Sequence, residues 1–186
     1  MMITILIIAI LVWAYLIGRS RGLALQSFYT LGLLIAFLTA LEGYQGLAKK
    51  ITLWVPFASA TSDSHLAFYS SKLLFEIDHV FYAILSFLAI YVAVYGIVRL
   101  IGIFLGALEN KMVLGDTGNR IAGILSVLVV YVMLSIGMML LSTIPLTLIQ
   151  NQLHASWLVR LMINQTPLFS AWLQDIFIKQ ITHLTL

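Results

Sequence analysis

Residues Val80–Val98 read VFYAILSFLAIYVAVYGIV, an uninterrupted run with no Asp, Glu, Lys, Arg or His. A helix that crosses a hydrocarbon core ~30 Å thick needs about 20 predominantly apolar residues, and this run supplies them. It shows no apolar–polar alternation of the kind a barrel strand requires, so away from water only a helix satisfies its backbone. Three further runs share this character: Ile3–Ile17, Leu23–Leu41 and Ile121–Ile144. With their flanking residues, the spans are expected at 2–18, 23–41, 80–98 (continuing to 108) and 121–144. The expected fold is all-α: one polytopic integral membrane domain over residues 1–186, with four transmembrane helices plus amphipathic interfacial helices.

Composition leads to the same place. Apolar residues make up 62% of the 186 and charged ones 9%, against about 25% charged in a soluble domain. So few charges cannot cover a water-facing surface. No cysteine is present, which excludes a disulfide scaffold, a Cys-ligated metal and a thiol nucleophile. The net charge of +3 comes from basic residues scattered among apolar blocks, without the stripe that nucleic acid binding needs. The first apolar run differs from a secretory signal because its basic residues, Arg19 and Arg21, follow it instead of preceding it. It is read as a retained helix.

Orientation follows from the density of basic residues in short loops. Gly18–Gly22 carries two arginines in five positions. Placing that turn in the cytoplasm also places Arg99–Arg120 there, and puts 42–79 and 150–186 outside. Both termini are then expected outside. Arg99 lies ~28 Å along a helix from Val80, at the edge of the hydrocarbon core. The plain reading is a snorkelling interfacial arginine; the sharper one is a ligand for a substrate or a lipid phosphate. Arg99 is therefore the candidate functional polar residue.

The two outer segments are amphipathic. In 42–79, Leu47, Ile51, Trp54 and Val55 recur at helical spacing beside Lys49 and Lys50, and Pro56 ends the stretch. In 150–186, Thr166 and Pro167 form a helix start, followed by a stripe of Leu168, Phe169, Trp172, Leu173, Ile176 and Phe177. Such a stripe docks on the membrane surface, on the chain itself or on a partner.

A search for chemistry yields no catalytic, cofactor-binding or metal residues. Asp116-Thr117-Gly118 has the letters of an aspartic protease loop, but the second such loop is missing. All four histidines fall outside the spans, and neither HExxH nor a glycine-rich phosphate loop occurs. Glu76, Asp78 and His79 crowd the start of the third span, where neighbours on a helix point in different directions. The polar groups inside the spans are Gln26, Ser27, Thr30, Ser86, Ser126, Ser135 and Ser142, suited to interhelical hydrogen bonds. Gly32, Ala36 and Ala40, with Gly102 and Gly106, provide small-residue spacing for helix packing and make a homo-oligomer an open expectation.

Four places carry a resemblance to a known family. They are Gly18-Arg19-Ser20-Arg21-Gly22 before the second span, Leu53-Trp54-Val55-Pro56 outside, Asn119-Arg120-Ile121-Ala122-Gly123 opening the fourth span, and Thr166-Pro167-Leu168-Phe169-Ser170 in the tail. In order and spacing they resemble the CvpA family of colicin V production proteins, particularly members from Gram-positive bacteria. Arg21, Gly22, Trp54, Pro56, Asn119, Arg120, Gly123, Thr166 and Pro167 are the signature positions. The chain departs from many members at Asn119, where Asp is common, and at Val127 and Tyr131, where a glycine ladder continues. The resemblance implies a multi-pass protein of the bacterial plasma membrane, without enzyme activity or cofactors. Its expected role is to assist peptide-toxin production or export and cell-envelope homeostasis. Its expected partners are membrane lipids and an envelope or export protein. The alternative is an oligomeric channel or transporter subunit.

Overall fold

The computed structural model describes residues 2–57, 67–69, 76–108, 115–165 and 175–179. Four long helices dominate it: α1 (Met2–Arg21), α2 (Leu23–Ile51), α3 (Ile77–Leu108) and α4 (Gly115–Ser142). Two short ones follow, α5 (Thr147–His154) and α6 (Trp157–Arg160), and π-helical turns occupy Leu161–Gln165 and Asp175–Lys179. No strand occurs among the described residues.

The long helices overrun the apolar runs at their charged ends. Arg19 and Arg21 stay helical in the last turn of α1, where cations complement the exposed carbonyls and dipole. Lys49 and Lys50 do the same at the end of α2. The amphipathic residues Leu47 and Ile51 therefore continue α2 instead of forming a separate interfacial helix, and Thr52–Pro56 is irregular. Between α1 and α2 stands Gly22 alone, at φ +83°, a left-handed conformation that a side chain would strain. Thr166 and Pro167, the expected start of a tail helix, lie outside the described residues.

Each long helix turns a minority of its surface inward. Between 17% and 33% of each apolar window is buried within the chain. On α2, Tyr29, Leu33, Ala36, Phe37, Ala40 and Tyr44 are buried, while Leu31, Leu34, Ile35 and Leu38 are exposed at the same helical period. Two apolar faces on one helix make no sense in water, where the outer one would be an adhesive patch. In a bilayer the acyl chains solvate it. The chain is a polytopic helical membrane protein.

Contacts group the described chain into two compact units. One comprises Met1–Ile5, Gly43–Leu88 and Ser135–Leu186; the other comprises Leu6–Glu42 and Ala89–Leu134. The first is held by buried polar bonds. Pro145 stands where α4 has ended, and the carbonyls freed there need donors. Gln150 supplies them, its Nε2 donating to the Ser142 and Ile144 carbonyls at 2.9 and 2.8 Å while its Oε1 accepts from Ala67 N at 3.0 Å. Ser142 donates its hydroxyl proton to the Met139 carbonyl, so at its other contact, 2.9 Å, Tyr69 is the donor. Burial pushes the Tyr69 hydroxyl up to about 12, which keeps it a neutral donor. Ser156 caps α6 by accepting from Val159 N and shares a 2.7 Å bond with Thr4. From the C-terminal stripe, Ile176 and Phe177 are buried, and Phe177 meets Tyr44 and Phe87 edge-on at 5.6 and 5.3 Å. These two stripe residues pack on the chain itself.

The second unit is joined by glycine notches. A Cβ at Gly18 would run into Ser126 and the Ala122 carbonyl, and one at Gly123 into the Tyr15 ring. One at Gly32 would strike Val98, and one at Gly102 the Tyr29 ring. Small residues let helix backbones approach where lipid removes any hydrophobic drive to associate. Gly102 and Gly106 seat Tyr29 and Leu25 of α2 one after the other, and Gly32 seats Val98 of α3.

Candidate functional site

The second unit gathers the signature residues of the α1–α2 turn and the start of α4. Asn119 Oδ1 lies 3.9 Å from where a Gly22 Cβ would stand. Beside it, Asp116 accepts from Arg19 at 2.9 Å and from Arg120 at 2.9 and 3.1 Å. All three side chains are about half exposed or more, so the cluster clips the α1 end to α4 without a large energetic share. The letters Asp-Thr-Gly thus belong to an ion-pair clip. Arg21, Gly22, Asn119, Arg120 and Gly123 fall in this one unit. Trp54 and Pro56 fall in the other, exposed, with Trp54 at 84%. The neighbouring Val55 carbonyl accepts from the Tyr82 hydroxyl at 2.7 Å, fixing the segment that presents Trp54.

Arg99 is neither at a helix end nor fully exposed. It sits in the body of α3, half-buried, with its guanidinium 4.7 Å from the centre of the Tyr29 ring. Arg21 reaches the same ring at 5.2 Å. Tyr29 itself is buried, seated in the notch at Gly102. Gly102 is one residue short of a helical turn beyond Arg99, so glycine and arginine share a face and present Tyr29 to both. Cation–π attraction holds each guanidinium at the ring while their like charges repel. Tyr95 stands one turn before Arg99 on α3 and lines the same cavity.

The two arginines stand at a cavity of about 610 Å³. Its other polar lining comes from Gln26, Tyr95 and Ser126; the rest is apolar, with Ile10, Ala14, Val129 and Met133 among the walls. Gln26 is 1% exposed, and its Oε1 has no hydrogen-bond partner. No carboxylate lines the cavity among the described residues. Sequence reasoning picked Arg99 alone for function. It treated Arg21 as a signature of the turn, Gln26 as a packing group and Tyr29 not at all. The available signal was the Arg99–Gly102 spacing: an arginine beside a bulky-residue notch on one helical face. Glu76, Asp78 and His79 converge on nothing comparable, and no group of three or more His, Asp or Glu forms a metal set among the described residues.

An apolar cavity ending in a pair of arginines and lined in part by exposed side chains such as Leu6 and Trp13, in a four-span helical protein, marks a membrane protein with an amphiphilic cleft. Its family follows from sequence comparison: a family model described as colicin V production protein matches residues 3–167, and the chain belongs to that family. The uncharacterized transmembrane protein YshB of Bacillus subtilis (strain 168) is 24% identical over 177 residues, covering 95% of this chain and 97% of the relative. No solved structure matches.

Proposed function

We propose that this protein is a non-enzymatic component of the bacterial plasma membrane that assists peptide-toxin production or export and maintains the envelope. It acts by packing and partnering, with membrane lipids, further copies of itself and an envelope or export protein as the surfaces it meets. The observation that carries this reading is the family match across residues 3–167. The wide outward apolar surface of all four helices supports it, since it leaves most of each span for lipid or partner contact. Deleting the gene should reduce secretion of exported peptides and raise sensitivity to bile salts, and a plasmid copy should restore both. Unchanged secretion and tolerance would overturn the reading.

Both termini are proposed to lie outside, with the Arg19–Arg21 turn in the cytoplasm, on the strength of its basic density. The native chain has no cysteine, so single replacements report cleanly. Among Ser20→Cys, Ser62→Cys, Thr117→Cys and Ser170→Cys, an impermeant maleimide on intact cells should label only Ser62→Cys and Ser170→Cys. Labelling of Ser20→Cys reverses the orientation.

A second reading, an oligomeric channel or transporter subunit, is favoured by one feature, the cavity at Arg21 and Arg99. Solute flux in liposomes that Arg99→Ala abolishes would favour it over the first; absence of flux would remove it.

A further inference from the structure

Among the described residues the two arginines at the cavity have no acid as a partner. In the same unit Asp116 pairs with Arg19 and Arg120, and Glu42 is exposed and is not among the residues lining the cavity. Among the described residues no ion pair involves Arg21 or Arg99. They share instead the face of one buried tyrosine. Charges held half-buried and close together are costly without a counter-charge. A ring face leaves most of their ten N–H donors free.

The cavity adds what an occupant would need. Its apolar walls, Ile10, Ala14, Val129 and Met133, suit a hydrocarbon chain, and its volume lies in the range of small-molecule sites. At the arginine pole the lining also includes Gln26, which is buried with no hydrogen-bond partner for its Oε1. Ordinary bilayer filling explains the apolar part alone. It does not explain two cations, unpaired among the described residues, lining the same space.

We propose that this cavity binds an acidic amphiphile, with its apolar chain along the α1, α3 and α4 walls and its anionic head on Arg21 and Arg99. Arginine's planar fork matches phosphate or carboxylate oxygens in pairs. A phosphate head, with more oxygens and a higher charge, meets the two forks more fully than a carboxylate does. This inference stands apart from the toxin and envelope role, because it concerns what the cavity holds and not what the cell uses it for.

The test uses purified full-length protein in a nonionic detergent and dodecyl phosphate as probe. Binding is read by the thermal unfolding midpoint and by fluorescence of Trp13, which lines the cavity. Dodecyl phosphate should bind and stabilise, dodecanoate should bind more weakly, and dodecanol and dodecyltrimethylammonium should do neither. Arg21→Gln and Arg99→Gln should each weaken dodecyl phosphate about tenfold or more. Gly96→Leu supplies a control for folding: Gly96 lines the cavity, and a Cβ there meets nothing within 4 Å. That substitution also improves helix propensity, so the protein should fold, keep both arginines and lose the probe. Dodecanol binding as well as dodecyl phosphate, or binding unchanged in the arginine variants or in Gly96→Leu, would overturn the proposal. With the protein in nanodiscs, displacement of the probe by phosphatidic acid assigns the head to a bilayer lipid. Retention of the probe assigns it to a single-chain acid, and either result upholds the site.

Discussion

The two units of this chain solve the problem of polar groups near lipid in opposite ways. In the unit containing Gly43–Leu88 and Ser135–Leu186, polar side chains bond to one another and to backbone: Gln150 to two carbonyls and an amide, Tyr69 to Ser142, Thr4 to Ser156. In the unit containing Leu6–Glu42 and Ala89–Leu134, glycine notches do the joining and Arg21, Arg99 and Gln26 surround a cavity. The first pattern suits a structure that stays shut. The second leaves strong hydrogen-bonding groups available to something that is not protein. Within a single small chain, then, polar side chains mostly knit one unit together, apart from the unpartnered Asp78 Oδ1 and Ser86 Oγ, and line a cavity in the other.

That contrast can be broken at its strongest point by filling a notch. In Gly18→Leu the new side chain meets Ser126 and the Ala122 backbone oxygen, 2.7 Å from the Cβ position, which cannot rotate away. The expected cost is about 3 kcal/mol, seen as a lower unfolding midpoint and loss of monodispersity in detergent. The closed unit should respond to loss of a bond instead. Gln150→Leu strands the Ser142 and Ile144 carbonyls and the Ala67 amide, with an expected cost of about 2 kcal/mol and faster hydrogen exchange around residues 142–150. If Gln150→Leu proved harmless, the polar bonds would not be what holds that unit. The smallest effect is expected at the exposed clip. Asp116→Asn removes both pairs to Arg19 and Arg120, yet at physiological salt the unfolding midpoint should not move measurably, because water and ions screen such pairs.

Much of the architecture was legible because hydrocarbon is a strict solvent. Four charge-free runs of spanning length leave a chain little choice, and the four helices lie on those runs. Their ends were less legible. Reading each span to its first charge stopped α1 near Gly18 and α2 at Leu41, whereas the helices run on to Arg21 and Ile51. Long basic side chains keep their heads at the interface while the backbone continues. The tail stripe was legible as a surface needing cover. What covers Ile176 and Phe177 was not, since Tyr44 and Phe87 are distant in sequence.

The site was half legible. Arg99 stands out in a run otherwise free of charge, and an arginine in that position invites a functional reading. Its pairing with Arg21 does not show in a linear sequence, because it depends on Tyr29 filling the Gly102 notch and offering its ring to both. Gln26 looked like one more polar packing group; its place in the lining of the arginine cavity, with Oε1 buried and unpartnered, does not show in the sequence.

The single residue joining α1 to α2 bears on how the protein is made. Two helices of membrane-crossing length linked by Gly22 alone have almost no loop between them. Such a link favours entry as a hairpin, with the arginine-bearing bend held at one face while both arms cross. The bend offers a protease no extended strand to grip. Its two arms also share one topological fate, so whatever orients α2 orients α1, and any dual-orientation form would have to invert the pair together.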